Sequence, residues 1–392
     1  MTGPLAHHAE GFKVDLANRG YRSGSASNQL LRMAQLSGWL ASRQLNASDL
    51  TAQGIGEFLT ERREAGYSTW LSPVGLSQLL GYLREIGAAP LAAPPVPVAP
   101  IDVLMRRYAD YLAHERGLAA ASVMDYVRAA KVFLASRSVG GELDPGAPTS
   151  TDVTQYLLME CQGTAAHAKR VASRLRSLLR FLFVEGITET ALVAGVPAAA
   201  NRPSSLPKAI SASQVSRLLR SCDRRTSVGR RDFAILTVLV RLGLRAGEVA
   251  GLRLQGIDWR AGEMIVRGKG GRIARLPLPV DVGEAIVAWL RRGRPRGDCP
   301  YLFTRIRAPR GGLSVAGVSM VVARAGQRAG MPPMRAHRLR HTAATELLRA
   351  GGSLAEVAQV MRHEHDGTTS LYAKVDRAAL SAVIRPWPGS AP

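Results

Sequence analysis

The sequence is poor in cysteine and has no long apolar run. Its three cysteines, Cys161, Cys222 and Cys299, lie far apart without metal-ligand spacing, so we expect neither a disulfide framework nor a cysteine zinc site. No stretch approaches the roughly 20 apolar residues that span a bilayer. The first ten residues lack the basic start and apolar block of a secretory signal. These absences predict a cytoplasmic protein without a membrane segment.

Acidic residues are also scarce. The 392 residues include 30 Asp and Glu against 52 Lys and Arg, which gives a formal charge of +22 and a pI of about 11.0. Such an excess of positive charge indicates a polyanionic partner, with nucleic acid as the first choice and an anionic membrane surface as the alternative. The length exceeds that of one ordinary core and predicts two or three domains.

Apolar residues at three- and four-residue spacing predict two helical modules, over residues 1–90 and 101–190. Residues 1–20 are interpreted as a loose lead-in, and Ser48 to Asp49 as a helix start. Proline-containing stretches at 88–100 and 191–208 are interpreted as linkers. The string LASR at 40–43 and 134–137 suggests duplication of one module. The alternative is that two unrelated bundles share an apolar stripe.

The second module has a basic helix face. It consists of Lys169, Arg170, Arg174, Arg176 and Arg180. No acidic residue interrupts the stretch, which favours contact with DNA phosphates over a merely solvated face.

The third segment, residues 208–385, is predicted to be helical around a β-hairpin. Glu263–Arg267 and Arg272–Leu278 are strand-like and flank the glycine-rich turn Gly268–Gly271. Helices are expected on both sides, the last near 377–384. The fold class is therefore mainly α with a small β-hairpin or sheet.

Several residues of this segment suit phosphoryl transfer without a metal. Arg245 and Arg340 are each expected to open a helix, whose N-terminus favours anions, and arginine grips two phosphate oxygens at once. Lys269, at the hairpin tip, could protonate a leaving alkoxide. His337 could exchange a proton, and Tyr372 is the candidate nucleophile.

Each candidate also has an ordinary interpretation. Arg245 could be a surface residue held by Glu248, a lysine in a surface hairpin is commonplace, and a lone tyrosine is more often half-buried structure. His337 and His341 have zinc-like spacing, yet the arginines between them would repel a dication and the glutamate of an HExxH motif is absent. His363 and His365 do not change this, so no metal is predicted.

Taken in order, these motifs resemble the catalytic domain of the tyrosine recombinase/integrase family, which includes phage integrases and Xer-type recombinases. LGLRAGEVAGL is similar to the first arginine box, GKGGRIARLPL to the lysine hairpin and AHRLRHT to the HxxR box. MRH, followed nine residues after His363 by Tyr372, is similar to the terminal box. The resemblance implies a catalytic set of Arg245, Lys269, His337, Arg340, His363 and Tyr372. Where the family commonly has Leu-Gly before the last histidine, this chain has Met361-Arg362.

The resemblance further implies a SAM-like core DNA-binding domain over residues 101–190 and attack of Tyr372 on DNA to form a 3′-phosphotyrosine. No metal, ATP or other cofactor is implied. The implied partners are double-stranded DNA with specific recombination sites and related recombinases. The implied assembly is a homo-tetramer on DNA, and the implied source of the gene is a mobile element. The alternatives are a type IB topoisomerase-like enzyme and a non-catalytic DNA-binding protein.

Overall fold

The computed structural model describes residues 2–69, 71–91, 100–136, 148–197 and 209–362. The chain divides into two compact units: Met1–Leu91 with Ser204–Pro392, and Ala92–Pro203. The described residues are mainly helical and contain one three-stranded antiparallel sheet, which confirms the predicted fold class. None of their helices is long and apolar enough to cross a membrane.

The described part of the N-terminal segment contains four α-helices. They are α1 (Ala9–Asn18), α2 (Ser23–Ser42), α3 (Ala52–Glu64) and α4 (Pro73–Glu85). The expectation of a loose lead-in was wrong, because Phe12 and Leu16 lie on one face of α1 and are fully buried in this core. The start expected at Ser48 to Asp49 is a short 3-10 turn, and Thr51 caps α3 by accepting a hydrogen bond from the Gly54 N–H.

Within the unit Ala92–Pro203, the described residues show the four-helix pattern expected from the sequence. Its helices are α5 (Pro100–Asp110, continued by a π turn over Tyr111–Glu115), α6 (Ala120–Ala135), α7 (Ser150–Glu160) and α8 (Ala165–Val184). The core also includes Leu192 and Val196, which belong to the stretch interpreted as a linker. They are buried because the short turn Leu192–Gly195 folds back onto α7 and α8.

The third segment contains the sheet and seven further described helices. The strands are β1 (Ile257–Asp258), β2 (Glu263–Arg267) and β3 (Ile273–Pro277); the helices are α9 (Ala212–Arg220), α10 (Ser227–Leu242), α11 (Ala246–Ala250), α12 (Val280–Arg292), α13 (Val315–Arg328), α14 (Ala336–Arg349) and α15 (Leu354–Met361). The predicted hairpin is confirmed, with pairing from Glu263↔Pro277 to Arg267↔Ile273. The two-residue β1 was not predicted. The helix expected near 377–384 lies outside the described residues.

Helix α10 organises this segment. Its central residues Ile235, Leu236, Val238 and Leu239 are fully buried, and the helix packs against α12, α13 and α14. A run of this kind is hydrophobic on most sides, as expected of a helix surrounded by others. The helix also contacts α11 and α14, and Gly243 at its C-terminal end lies against Met361 of α15.

Candidate active site

A glycine allows these helix ends to approach each other. Helix α10 ends at Gly243, whose φ of +57° is left-handed. A Cβ at this position would lie 2.6 Å from Met361 Cε and 3.3 Å from Ala343 Cβ. The left-handed backbone and the close contacts both favour glycine here, where the end of α15 lies against the end of α10.

Arg245 begins α11, as predicted, and Glu248 holds it there. The Arg245 N–H donates to Glu248 Oε2 at 2.8 Å, and its Nη1 donates to Oε1 at 2.9 Å. The Glu248 side chain is 3% exposed, whereas that of Arg245 is 37% exposed. The arginine is therefore fixed by a buried carboxylate while its guanidinium still reaches the surface.

Glu248 is shared by a second arginine. Nη2 of Arg362 donates to Glu248 Oε2 at 2.9 Å, across 114 positions of the chain. Burial by itself would raise the pKa of Glu248, but the hydrogen bond from the Arg245 N–H and the charges of Arg362 and Arg245 outweigh it and lower that pKa. The carboxylate is ionised at neutral pH and joins the two guanidinium groups.

Arg340 does not open a helix, and that expectation was wrong. Helix α14 begins at Ala336, because residues 336–340 contain nothing that interrupts a helix, and Arg340 lies in its second turn. Its Nη1 donates to the Gly243 carbonyl at 2.7 Å and its Nη2 donates to the carbonyl of Met361. Arg340 is only 2% exposed. Contact with a phosphate therefore requires some of the covering groups to move.

His337 lies in the first turn of α14, one turn before Arg340. Partial desolvation by its neighbours, then the charges of Arg340 and Arg245, lower its pKa. His337 is therefore neutral at neutral pH and able to accept a proton. Its ring contacts that of His341 with centroids 4.4 Å apart, and burial together with His337 and Arg340 lowers the pKa of His341 to about 4. Among the described residues, no group of three or more His, Cys, Asp or Glu could hold a metal.

The glycine-rich β2–β3 hairpin lies next to Glu248. Lys269 begins the turn Lys269–Gly271, and Gly270 and Gly271 have φ of +71° and +76°, which favours glycine at both positions. At the base of the turn, a Cβ on Gly268 would lie 3.8 Å from Glu248 Oε1. The backbone that carries Lys269 is thus adjacent to the carboxylate that holds Arg245. His363 and Tyr372 lie outside the described residues, which end at Arg362.

The basic helix face of the unit Ala92–Pro203 lies on α8. Lys169, Arg170 and Arg180 are exposed there. Arg174 forms an ion pair with Asp125 of α6, and Arg176 donates to the carbonyl of Pro197. The balancing acid comes from another helix, so the sequence of α8 alone does not reveal it.

From the sequence, Arg362 is only a departure from the family pattern, with no predicted partner. The sequence does carry a signal for one partner of Glu248. Glu248 is the third residue after the helix-opening Arg245, a position typical of a capping box. That position explains the pairing with Arg245. The pairing with Arg362 depends on the approach of α15 and has no local signal.

Comparison with known proteins agrees with this architecture. The model of the phage integrase family matches residues 208–378, the segment that carries the hairpin, α14 and α15. The chain belongs to the phage integrase family, the tyrosine recombinases, and is accordingly an enzyme of DNA strand breakage and rejoining.

Within the family, the similarity to some relatives extends over the whole chain. "Putative integrase/recombinase y4rA" of Sinorhizobium fredii (strain NBRC 101917 / NGR234) is 38% identical over 398 residues, covering 99% of this chain and 96% of that protein. "Tyrosine recombinase XerD" of Mycobacterium tuberculosis (strain ATCC 25618 / H37Rv) is 31% identical over 310 residues, covering 74% and 97%. These relatives favour a recombinase over the topoisomerase-like and non-catalytic alternatives.

The fold is also that of a solved integrase. The structure of a lambda integrase tetramer bound to a Holliday junction is similar to this chain with a TM-score of 0.55 and 18% identity, covering 83% of this chain and 91% of that one. At this identity the similarity establishes the fold alone.

Proposed function

We propose that this chain is a site-specific recombinase that cuts and rejoins double-stranded DNA through a 3′-phosphotyrosine on Tyr372. The observation that carries the proposal is that Arg245 and the base of the Lys269 hairpin lie at the buried carboxylate of Glu248, while Arg340 binds the Gly243 carbonyl close by and the charges of Arg340 and Arg245 act on His337. These residues come from three separate elements of the chain, α11, α14 and the β2–β3 hairpin. Their assembly within the segment that matches the family supports one shared catalytic role.

In the proposed reaction, the Tyr372 oxygen attacks the scissile phosphorus and the bond to the 5′ oxygen breaks. Arg245, Arg340 and His363 stabilise the transferring phosphoryl group, because fixed cations and donors favour charge that develops in the transition state. Lys269 protonates the leaving 5′ oxygen, and His337 assists proton transfer in its neutral form. The 5′ hydroxyl of a second strand then attacks the phosphotyrosine and releases Tyr372. No step uses a metal or ATP.

The assembly and setting are part of the proposal. We place four copies of the chain on two DNA sites, by analogy with the lambda integrase tetramer on a Holliday junction, with related recombinases as further partners. The exposed cations Lys169, Arg170 and Arg180 of α8, together with Arg174 and Arg176, contact DNA phosphates. The reaction takes place in the cytoplasm, and the gene belongs to a mobile element. Inverted repeats in the DNA flanking the gene would support that origin.

The central test is capture of the covalent intermediate. A nicked suicide DNA taken from the sequence flanking the gene should become covalently attached to the wild-type protein in EDTA, and Tyr372→Phe should abolish this product because it removes the attacking oxygen. DNA binding by Tyr372→Phe should stay close to that of the wild type in a mobility-shift assay. Undiminished covalent product from Tyr372→Phe would refute the assignment, and loss of product in EDTA would favour a metal-dependent reaction.

A further inference from the structure

One arginine that the proposed reaction does not use contacts the site directly. Arg362 ends α15 in the left-handed conformation, with φ +53°, which is uncommon for a residue other than glycine. Its side chain is 16% exposed and points inward to Glu248, which is 3% exposed. Arg362 therefore combines an unfavourable backbone conformation with an ion pair to a buried carboxylate. This combination indicates that the ion pair is important to the site.

The turn Met361–Arg362 connects both candidate catalytic arginines. The Met361 carbonyl accepts from Arg340 Nη2, and the Arg362 carbonyl lies 3.5 Å from Arg245 Nη2. The Arg362 side chain, in turn, shares Glu248 with Arg245. Each guanidinium is therefore oriented partly by this one turn.

The turn also leads directly to His363, the next residue of the chain. If the turn shifts, the orientation of Arg245, the carbonyl that orients Arg340, and the starting point of the segment that bears His363 and Tyr372 all shift with it. Because phosphoryl transfer without a metal depends on cations that are fixed in advance, loosening the turn should slow the reaction rather than speed it.

We propose that Arg362 is a positioning residue that acts through Glu248, where its ion pair fixes the turn Met361–Arg362 against Arg245 and Arg340. This inference rests on the proposed function. It assigns to Arg362 a role in chemistry rather than in DNA contact, since its side chain is directed to the buried carboxylate.

The test combines Arg362→Gly, Arg362→Lys and Glu248→Gln in single-turnover formation of the covalent complex at saturating DNA. Glycine suits the left-handed backbone, so Arg362→Gly should fold, although loss of the ion pair with the buried Glu248 lowers its Tm, and the rates are compared well below that Tm. The covalent step should nevertheless slow by about 10- to 100-fold, since a misplaced catalytic group costs up to about 100-fold. DNA affinity should be unchanged, and Arg362→Lys should restore part of the rate.

The double variant Arg362→Gly/Glu248→Gln distinguishes action through Glu248 from independent action. With Glu248 already replaced, Arg362→Gly should cause little further loss. The matched control is Arg349→Ala, which removes a surface pair with Glu346 on α14 and should leave the rate unchanged.

Three results would overturn the inference: an unchanged or faster covalent step in Arg362→Gly, the same loss in the Glu248→Gln background, or a loss confined to DNA affinity. None of these three results contradicts the proposed function, provided that the wild-type protein forms the covalent product and Tyr372→Phe does not. Absence of that product from the wild type would overturn both.

Discussion

Single residues show how burial sets the charge of this site. Glu248 is almost fully buried and yet ionised, because two arginines and a backbone N–H compensate for its desolvation. His341 is the opposite case. Burial, His337 and the fixed charge of Arg340 all oppose its protonation. Arg245 and Arg362 therefore keep the carboxylate of Glu248 charged, whereas burial, with His337 and Arg340, keeps the imidazole of His341 neutral.

His341 predicts a dependence of stability on pH. Its pKa is about 4 in the folded protein, below the unperturbed 6.5, so between these values the unfolded chain binds more protons than the folded one. The free energy of unfolding should therefore fall as the pH is lowered from about 7 towards 4. Urea unfolding at a series of pH values measures this. His341→Gln should show a smaller decrease over that range, and parallel curves for the two proteins would contradict the assignment.

At the scale of elements, two helices with the same cap have different tasks. Ser353 caps α15 in a capping box with Glu356, and Ser211 caps α9 in a capping box with Gln214. Both helices are short, so both depend on their caps. Only α15 ends at the turn that contacts Arg245 and Arg340.

This pair provides a matched comparison. Ser353→Ala and Ser211→Ala should each lower the free energy of unfolding by about 1 kcal/mol, measured by urea denaturation. Ser353→Ala alone should also slow formation of the covalent complex at saturating DNA, since it loosens the helix that leads into the turn Met361–Arg362. Equal slowing by both variants would show that the loss comes from general destabilisation.

At the scale of the whole molecule, the dominant property is the charge of +22. A protein that neutralises DNA phosphates releases bound counterions, so its affinity falls as salt rises. The exposed face of α8 offers Arg170 and Arg180 for such contacts, whereas Arg174 is partly neutralised by Asp125. We expect these arginines to contribute to DNA affinity through electrostatic contacts that do not depend on the DNA sequence.

The affinity for double-stranded DNA should decrease steeply and linearly on a plot of log K against log salt. Replacing Arg170 and Arg180 together by Gln should reduce the slope by about 2, because each arginine neutralises one phosphate, as measured by fluorescence anisotropy. Arg349→Gln on α14 serves as the control and should keep the wild-type slope. A flat salt response of the wild type would contradict phosphate binding by this face.

The sequence by itself determined the class of protein, the residues of the candidate set and most helix positions. It could do so because these features are local: apolar periodicity marks α10 and α12, the glycines mark the hairpin, and short motifs mark Arg245, Lys269 and His337. Even locally it had limits. It missed α1, whose two buried residues make a pattern too short to stand out, and it began α14 at Arg340 rather than at Ala336.

Only the tertiary structure decided how these residues meet. It buried Arg340 against the carbonyls of Gly243 and Met361, and it paired Arg362 with Glu248 across 114 positions. Such contacts depend on the packing of α10, α14 and α15 around Gly243, and packing between distant segments leaves no periodic trace in either segment. The motif residues were therefore readable one at a time, whereas the carboxylate and the turn that hold them together became visible only in the fold.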